Sequence, residues 1–270
     1  MSILKLGFNE DISNSDYHSD IEYLSSSSLK LLNKCPREFY KKYVKGEEDE
    51  EKGSSPHLVF GSLVHTLILE PHMLEEDYSL YQGTKGKSSN EYKEWKSLLP
   101  EDAGEIITQS QLSKARMLTD IVQENEHAVE LLAEGSPERT LCVEIDGVKI
   151  KVRADWHDAA SAAIVDVKTT GSGLSYEEIQ QTCLQWGYPL SAALYADAFE
   201  QETGKKQDFY FIFVGKSPMG CAVFKASDQF LEFGRRQYKA AIKKILESRA
   251  SGIWFNEGIT EIDVPEDLLR

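Results

Sequence analysis

The chain has 270 residues, 41% of them hydrophobic and 28% charged, which is enough apolar material for a sizeable core and too much for a disordered chain. Thirty basic against 45 acidic residues leave a formal charge of -15, which argues against binding nucleic acid through bulk charge, so any such site must be a local basic patch. No run reaches the ~18 apolar residues of a membrane span, and MSILKLGFNEDISNSD turns acidic before a signal-peptide core can form, so a soluble cytoplasmic protein is expected.

In chain order, SSSSLKLLNKCPREFYKKYVK (residues 25–45) opens on hydroxyls suited to N-capping and predicts two short helices broken at Pro36. It carries Lys30, Lys34, Arg37, Lys41, Lys42 and Lys45 against Glu38 alone, and the acids from Glu47 to Glu51 follow at once. That sign change predicts a basic face beside an exposed acidic loop. FGSLVHTLILE (60–70) predicts a buried helix carrying His65 and stopped by Pro71. The Gly-rich stretch 81–90 is a loop before a helix at 91–99. Its Gly-Lys-Ser falls short of a phosphate-binding loop, because Tyr81 stands where the first glycine is needed and no buried strand is expected before it. Residues 109–133 predict one helix with a core stripe of Leu112, Ala115, Met117, Leu118, Ile121 and Val122.

From residue 139 the period changes to alternation. RTLCVEIDGVKIKVRADWH places Asp146-Gly147 between two β-rich runs, a strong signal for a two-residue hairpin. AAIVDVKTT supplies a third strand, 175–200 a long helix kinked at Pro189, DFYFIFVGK and CAVFKAS two further strands, and 228–248 a closing helix. This order predicts a single α/β domain with a mixed central sheet flanked by helices. Its parts would be a mainly helical stretch to about 135, the sheet from about 136 to 250, and a tail over 251–270. Cys35, Cys142, Cys183 and Cys221 form no C-x-x-C pair and the six histidines no H-E-x-x-H, so neither a closed zinc site nor a zinc protease is indicated.

The turn sets the register: Ile145 faces Val148, Glu144 faces Lys149 and Val143 faces Ile150. Val148, Ile150, Val152 and Ala154 then share one face, and Lys149, Lys151, Arg153 and Asp155 the other. In the next strand Asp166 and Lys168 share a face, opposite Val165 and Val167. Two such charges within a hydrophobic strand are costly unless paired with each other, a metal or substrate. Aspartates on adjacent strands can hold a hard divalent cation, with the Val167 carbonyl and water at other positions. Lys168 beside them would orient the attacking water, or help deprotonate it, and offset phosphoryl charge. D-x(10)-D-x-K across strand, turn and strand is the informative spacing; an ordinary Asp-Lys ion pair is the alternative.

On these residues the chain resembles the PD-(D/E)XK nuclease superfamily, and more closely the RecE (exonuclease VIII) type exonucleases of phages and prophages. Over residues 17–245 the likeness rests on YHSDIEYLSSSSLKLLNKCPREFYKKY, FGSLVHTLILEP, GTKGKSSNEYKEWK, VRADWHDAASAAIVDVKTT and YPLSAALYADAF in order. It implies a restriction-endonuclease-like core in which Asp155 and Asp166 bind Mg²⁺ (or Mn²⁺), Lys168 is the catalytic lysine and His65 joins the metal shell. Tyr195 would be the tyrosine of the Q-x-x-x-Y motif. Ser191 stands where that motif has glutamine, Gln185 forms a Q-x-x-Y with Tyr188 instead, and Ala154 replaces the usual proline before Asp155. Gln185, Tyr188, Ser191 and Glu144 complete the candidate set.

Lys149, Lys151 and Arg153 share the face of Asp155 and form a candidate phosphate track. Ser25, Ser28 and Lys30, at a helix start, could hold a terminal phosphate. The resemblance further implies 5′-to-3′ digestion of double-stranded DNA ends, a RecT-like annealing partner and a ring-shaped tetramer. Rival expectations are an endonuclease, a single-strand-specific nuclease, or an inactive subunit that binds DNA ends.

Overall fold

The computed structural model describes residues 2–47, 55–100, 103–256 and 258. A short strand β1 (Gly7–Asn9) and helix α1 (Asn14–Ser19) precede α2 (Ser26–Lys34). The Ser25 hydroxyl caps α2 by accepting the Ser28 N–H, as the serine run suggests. Pro36 opens α3 (Pro36–Phe39), which continues as a π-helical turn over Tyr40–Val44. The acidic stretch beyond Glu47 lies outside the described residues, as does most of the tail after 251. Helix α4 (Pro56–Leu69) carries His65 and gives way at Pro71. Then come α5 (Leu74–Asp77), β2 (Tyr78–Tyr81), α6 (Asn90–Ser97), β3 (Glu105–Thr108), α7 (Gln109–Gln123) and α8 (Glu126–Leu131). The hairpin β4 (Ser136–Ile145) and β5 (Val148–Asp158) leads to β6 (Ala163–Thr170), α9 (Tyr176–Gln185) and α10 (Tyr188–Thr203). The described elements end with β7 (Asp208–Lys216), β8 (Met219–Lys225) and α11 (Asp228–Ser251).

The main sheet runs β1-β4-β5-β6-β7-β8, with β6 and β7 parallel and the other neighbours antiparallel. Helices α9 and α10 form the crossover that a parallel pair requires. Asp146 and Gly147 both take positive φ (50° and 77°), the conformation a tight hairpin needs, and the pairing Ile145–Val148, Glu144–Lys149, Val143–Ile150 results. One sheet face buries Val148, Ile150, Val152, Phe209, Phe211 and Phe213 beneath α2, α10 and α11. The other buries Val165, Val167, Ile212 and Val214 beneath α4 and α7. Helices thus cover both faces of a mixed sheet. Among the described residues no helix is long and apolar enough to cross a membrane.

Four local expectations are corrected. The crossover is two helices, because Gly187 takes a left-handed conformation (φ 63°) and ends the first; Pro189 falls in the first turn of α10, where its missing N–H costs nothing. The helix expected over 109–133 divides at Asn125, whose side chain caps α8 by accepting the Ala128 N–H. Met117, assigned to the core stripe, is 52% exposed. A strand does precede the Gly-Lys-Ser loop: β2 pairs in parallel with β3, and both are too short for alternation to reveal.

Close packing at the start of α10 and a parting of strands near Asp155 shape the centre of the molecule. Gly234 of α11 packs against the start of α10 so closely that a Cβ there would come within 1.8 Å of the Pro189 carbonyl oxygen. The β5–β6 ladder pairs only Asp158–Ala163, His157–Ile164 and Trp156–Val165, after which the two strands part. Ala154 packs on the α10 side and Trp156 on the α4 side, so β5 turns over at Asp155.

Candidate active site

The charged cluster fills the fork where β5 and β6 separate. Asp155 Oδ2 accepts the Val167 N–H at 2.8 Å, standing in for the missing ladder bond. Within a strand the N–H and C=O of one residue point to the same edge, so the Val167 carbonyl faces the same gap. Lys168 Nζ donates to Asp166 and lies 3.8 Å from Asp155 Oδ2. Helix α4 brings His65 over the fork, with Nε2 3.1 Å from Asp155 Oδ2. From β4 comes Glu138, its Oε1 3.6 Å from His65 Nδ1.

Electrostatics reflect this crowding. Burial alone would raise Asp155, but Lys168 and His65 outweigh it and hold its carboxyl well below the usual range. Asp166 is pushed up to about 7, by burial first and by the Asp155 charge, against the pull of Lys168. Lys168 loses from burial and gains more from the two aspartates, so its ammonium is held charged. Burial also lowers His65, yet Asp155 and Glu138 bring it up to about 9. Glu138 is raised to about 7 by burial, with His65 pulling the other way.

The raised His65 makes stability depend on pH. Its contribution is fully present below the unfolded value near 6.5 and is lost as pH rises through about 9. In metal-free buffer His65→Gln should therefore cost up to about 3 kcal/mol at pH 6 and little at pH 10. Urea unfolding at both pH values measures this; an equal cost at both would show that the imidazole stabilises by packing alone.

The donors suit a divalent ion. Ligand atoms of His65, Glu138 and Asp155 lie within 4.8 Å of one another, and Asp166 adds a third carboxylate beside them. One imidazole with several carboxylates is an oxygen-rich set of the kind that holds Mg²⁺ or Mn²⁺.

The remaining candidates divide by position. Tyr195 on α10 hydrogen-bonds Ser26 and is raised to about 12, by burial first and then by Asp166 and Asp155. The Tyr188 ring is approached by two lysines, with Lys168 Nζ and Lys30 Nζ each 5.6 Å from its centroid. Burial and Lys168 lower Lys30 to about 8, so this lysine does reach the cluster. Ser191 is buried within α10, whereas Gln185 is exposed at the end of α9.

Others stand away from the fork or are already engaged. Glu144 and Lys149 lie six residue pairs up the hairpin from Asp155, about 20 Å at ~3.3 Å per residue. Ser28 is fully buried and donates to the Ser25 carbonyl at 2.7 Å, and the Ser25 hydroxyl is the helix cap, so both are engaged within α2. The expected phosphate track is engaged by the N-terminal segment, which buries Lys151 and most of Arg153 and pairs with the partly exposed Lys149. Lys149 pairs with Glu22, and buried Lys151 donates to the Tyr17 and Asp20 carbonyls. Arg153 donates to Thr140 Oγ1 and the Ile12 carbonyl while stacking 4.2 Å from the Tyr17 ring centroid.

Glu138 was not among the sequence candidates. The signal was present: the hairpin register set by Asp146-Gly147, counted down to its base, places residue 138 opposite 155.

A mixed sheet between helices, forked around Asp155, Asp166 and Lys168, defines a PD-(D/E)XK-type core. The chain belongs to the family described as PDDEXK-like domain of unknown function (DUF3799), whose model matches residues 25–256. No curated protein matches the sequence. Among solved structures, the crystal structure of a "putative exonuclease" from Eubacterium rectale is similar at 15% identity and a TM-score of 0.65, covering 97% of this chain and 98% of that one. A second, SSO0001, shares 14% identity over 67% of this chain and 85% of its own, with a TM-score of only 0.29.

Proposed function

We propose that the chain is a divalent-metal-dependent DNA exonuclease of the RecE type, which digests linear double-stranded DNA from the 5′ end and leaves 3′ single strands. The observation that carries this is the fork: two aspartates, a lysine and a helix-borne histidine converge where the ladder between β5 and β6 stops. The similarity in fold to a protein called an exonuclease supports it.

His65, Asp155 and Asp166 would hold the ion, with the Val167 carbonyl at the same edge. A bound Mg²⁺ supplies Lewis-acid stabilisation of phosphoryl charge and a more acidic water. Lys168, kept charged between two carboxylates, orients the water and offsets charge on the phosphoryl oxygens. Lys30, which approaches the same Tyr188 ring, provides a second cation nearby. With a net charge of -15, such a local pair of lysines is where a phosphate backbone finds attraction. Double-stranded DNA ends are thus the proposed partner; a RecT-like annealing protein and a tetrameric ring are what the family resemblance adds.

Linear duplex carrying a labelled 5′ end, incubated with Mg²⁺ or with EDTA beside closed circular DNA, tests this. Expected is Mg²⁺-dependent release of mononucleotides from the linear DNA alone. Nicked circles would make the protein an endonuclease, and bound but intact DNA would make it an end-binding subunit.

A further inference from the structure

Glu138 lies outside the D-x(10)-D-x-K spacing, and the structure aims its carboxylate into the fork. The pairs on either side of it, Pro137–Trp156 and Arg139–Ala154, set it opposite Asp155. Its φ is +47°, a left-handed conformation inside a strand that is costly for any residue with a side chain. The carboxylate lies between two groups. Oε1 is 3.6 Å from His65 Nδ1 and Oε2 is 3.8 Å from Arg153 Nη1. Arg153 is in turn fixed by the Tyr17 ring, the Ile12 carbonyl at 3.0 Å and Thr140 Oγ1 at 2.8 Å.

His65 meanwhile turns its other nitrogen, Nε2, to Asp155. An imidazole that ligates a metal through one nitrogen carries its proton on the other, and a carboxylate accepting that proton fixes both tautomer and ring orientation. The 3.6 Å gap is a few tenths of an ångström beyond an N–H···O hydrogen bond, within reach of a small side-chain adjustment.

We propose that Glu138 is a positioning residue: its carboxylate accepts the Nδ1–H of His65 and so points Nε2 into the gap shared with Asp155. This rests on the metal-dependent nuclease proposed above. Arg153, expected from sequence to meet phosphate, acts instead on the protein side, holding Glu138 from behind.

Mn²⁺ binding to the full-length protein, followed by calorimetry for wild type, Glu138→Ala and Glu138→Gln, tests it. Loss of the carboxylate should weaken binding about 10–100-fold. The Gln variant, which keeps an acceptor oxygen, should stay within about threefold of wild type. Wild-type affinity in the Ala variant overturns the proposal. A Gln variant as weak as Ala also overturns it, by making Glu138 a direct ligand. No Mn²⁺ binding by the wild type would defeat the nuclease reading and this proposal with it.

Imidazole ¹⁵N spectra of the Mg²⁺-saturated wild type give a measure that needs no variant to fold. A protonated Nδ1 on His65 is expected, and a protonated Nε2 would overturn the proposal.

Discussion

Replacing Lys168 with alanine should lower the rate of DNA cleavage by about 10²–10³-fold, the loss typical of removing one preorganised charge donor from a reacting centre. Affinity for the ion should not fall with it. Lys168 is a cation held against Asp166 and 3.8 Å from Asp155; removing it takes a competing positive charge away from both carboxylates, so Mn²⁺ should bind the variant as tightly as wild type or more so. Cleavage and Mn²⁺ titrations on one preparation separate the two effects. Loss of cleavage together with loss of ion binding would mean that the lysine only holds the aspartates in place. Cleavage within tenfold of wild type would remove it from the chemistry. In metal-free buffer the variant should also melt lower than wild type, since two facing carboxylates lose the cation between them.

The second large effect is expected at a contact between two helices. Gly234→Ala should destabilise the protein by about 2–3 kcal/mol, as overpacking of a tight contact does. The sign is informative, because alanine in a helix interior ordinarily gains about 1 kcal/mol over glycine. Here the new Cβ would stand 1.8 Å from the Pro189 carbonyl oxygen, and backbone cannot swing aside as a side-chain tip can. To relieve the clash α10 must move at its first turn, next to Tyr188, so cleavage should fall as well. Gly86 is a fair comparison, since nothing lies within 4 Å of a Cβ there and Gly86→Ala should be nearly neutral. Urea denaturation of both variants decides the matter; a Gly234→Ala protein as stable as wild type would mean that the two helices separate freely.

How much of the fold and site was visible in the sequence depends on what each segment had to encode locally. The hairpin was legible because Asp146-Gly147 fixes a turn of known length, and every pair from Ile145–Val148 onward comes by counting. Asp166 and Lys168 stood out as two charges in an apolar strand. Glu138 did not, although the same count reaches it, because an acid near the end of a strand looks like ordinary solvent-facing polarity. The sequence predicts a single helix over 175–200 kinked at Pro189, the stronger helix breaker in principle, yet a proline in a first turn is harmless and it is Gly187 that divides the segment into two helices. Least legible was the engagement of Lys149, Lys151 and Arg153 by the N-terminal segment. Their partners, Glu22, Tyr17, Asp20 and Ile12, are more than a hundred residues away, and two of the three cations bind backbone carbonyls, which leave no mark on a sequence.

That distance along the chain also orders events in time. The Tyr17 and Asp20 carbonyls are made 134 and 131 residues before the lysine they receive, on the order of ten seconds at ~5–20 residues per second of synthesis. Through that interval the first two dozen residues have no sheet to lie on, since β1 pairs with β4 and α1 rests on β5 through Tyr17. Arg153, and beside it Glu138, come into place only when this early segment meets strands made much later. A growing chain therefore carries the segment that braces the site long before it carries the strands on which the site is built.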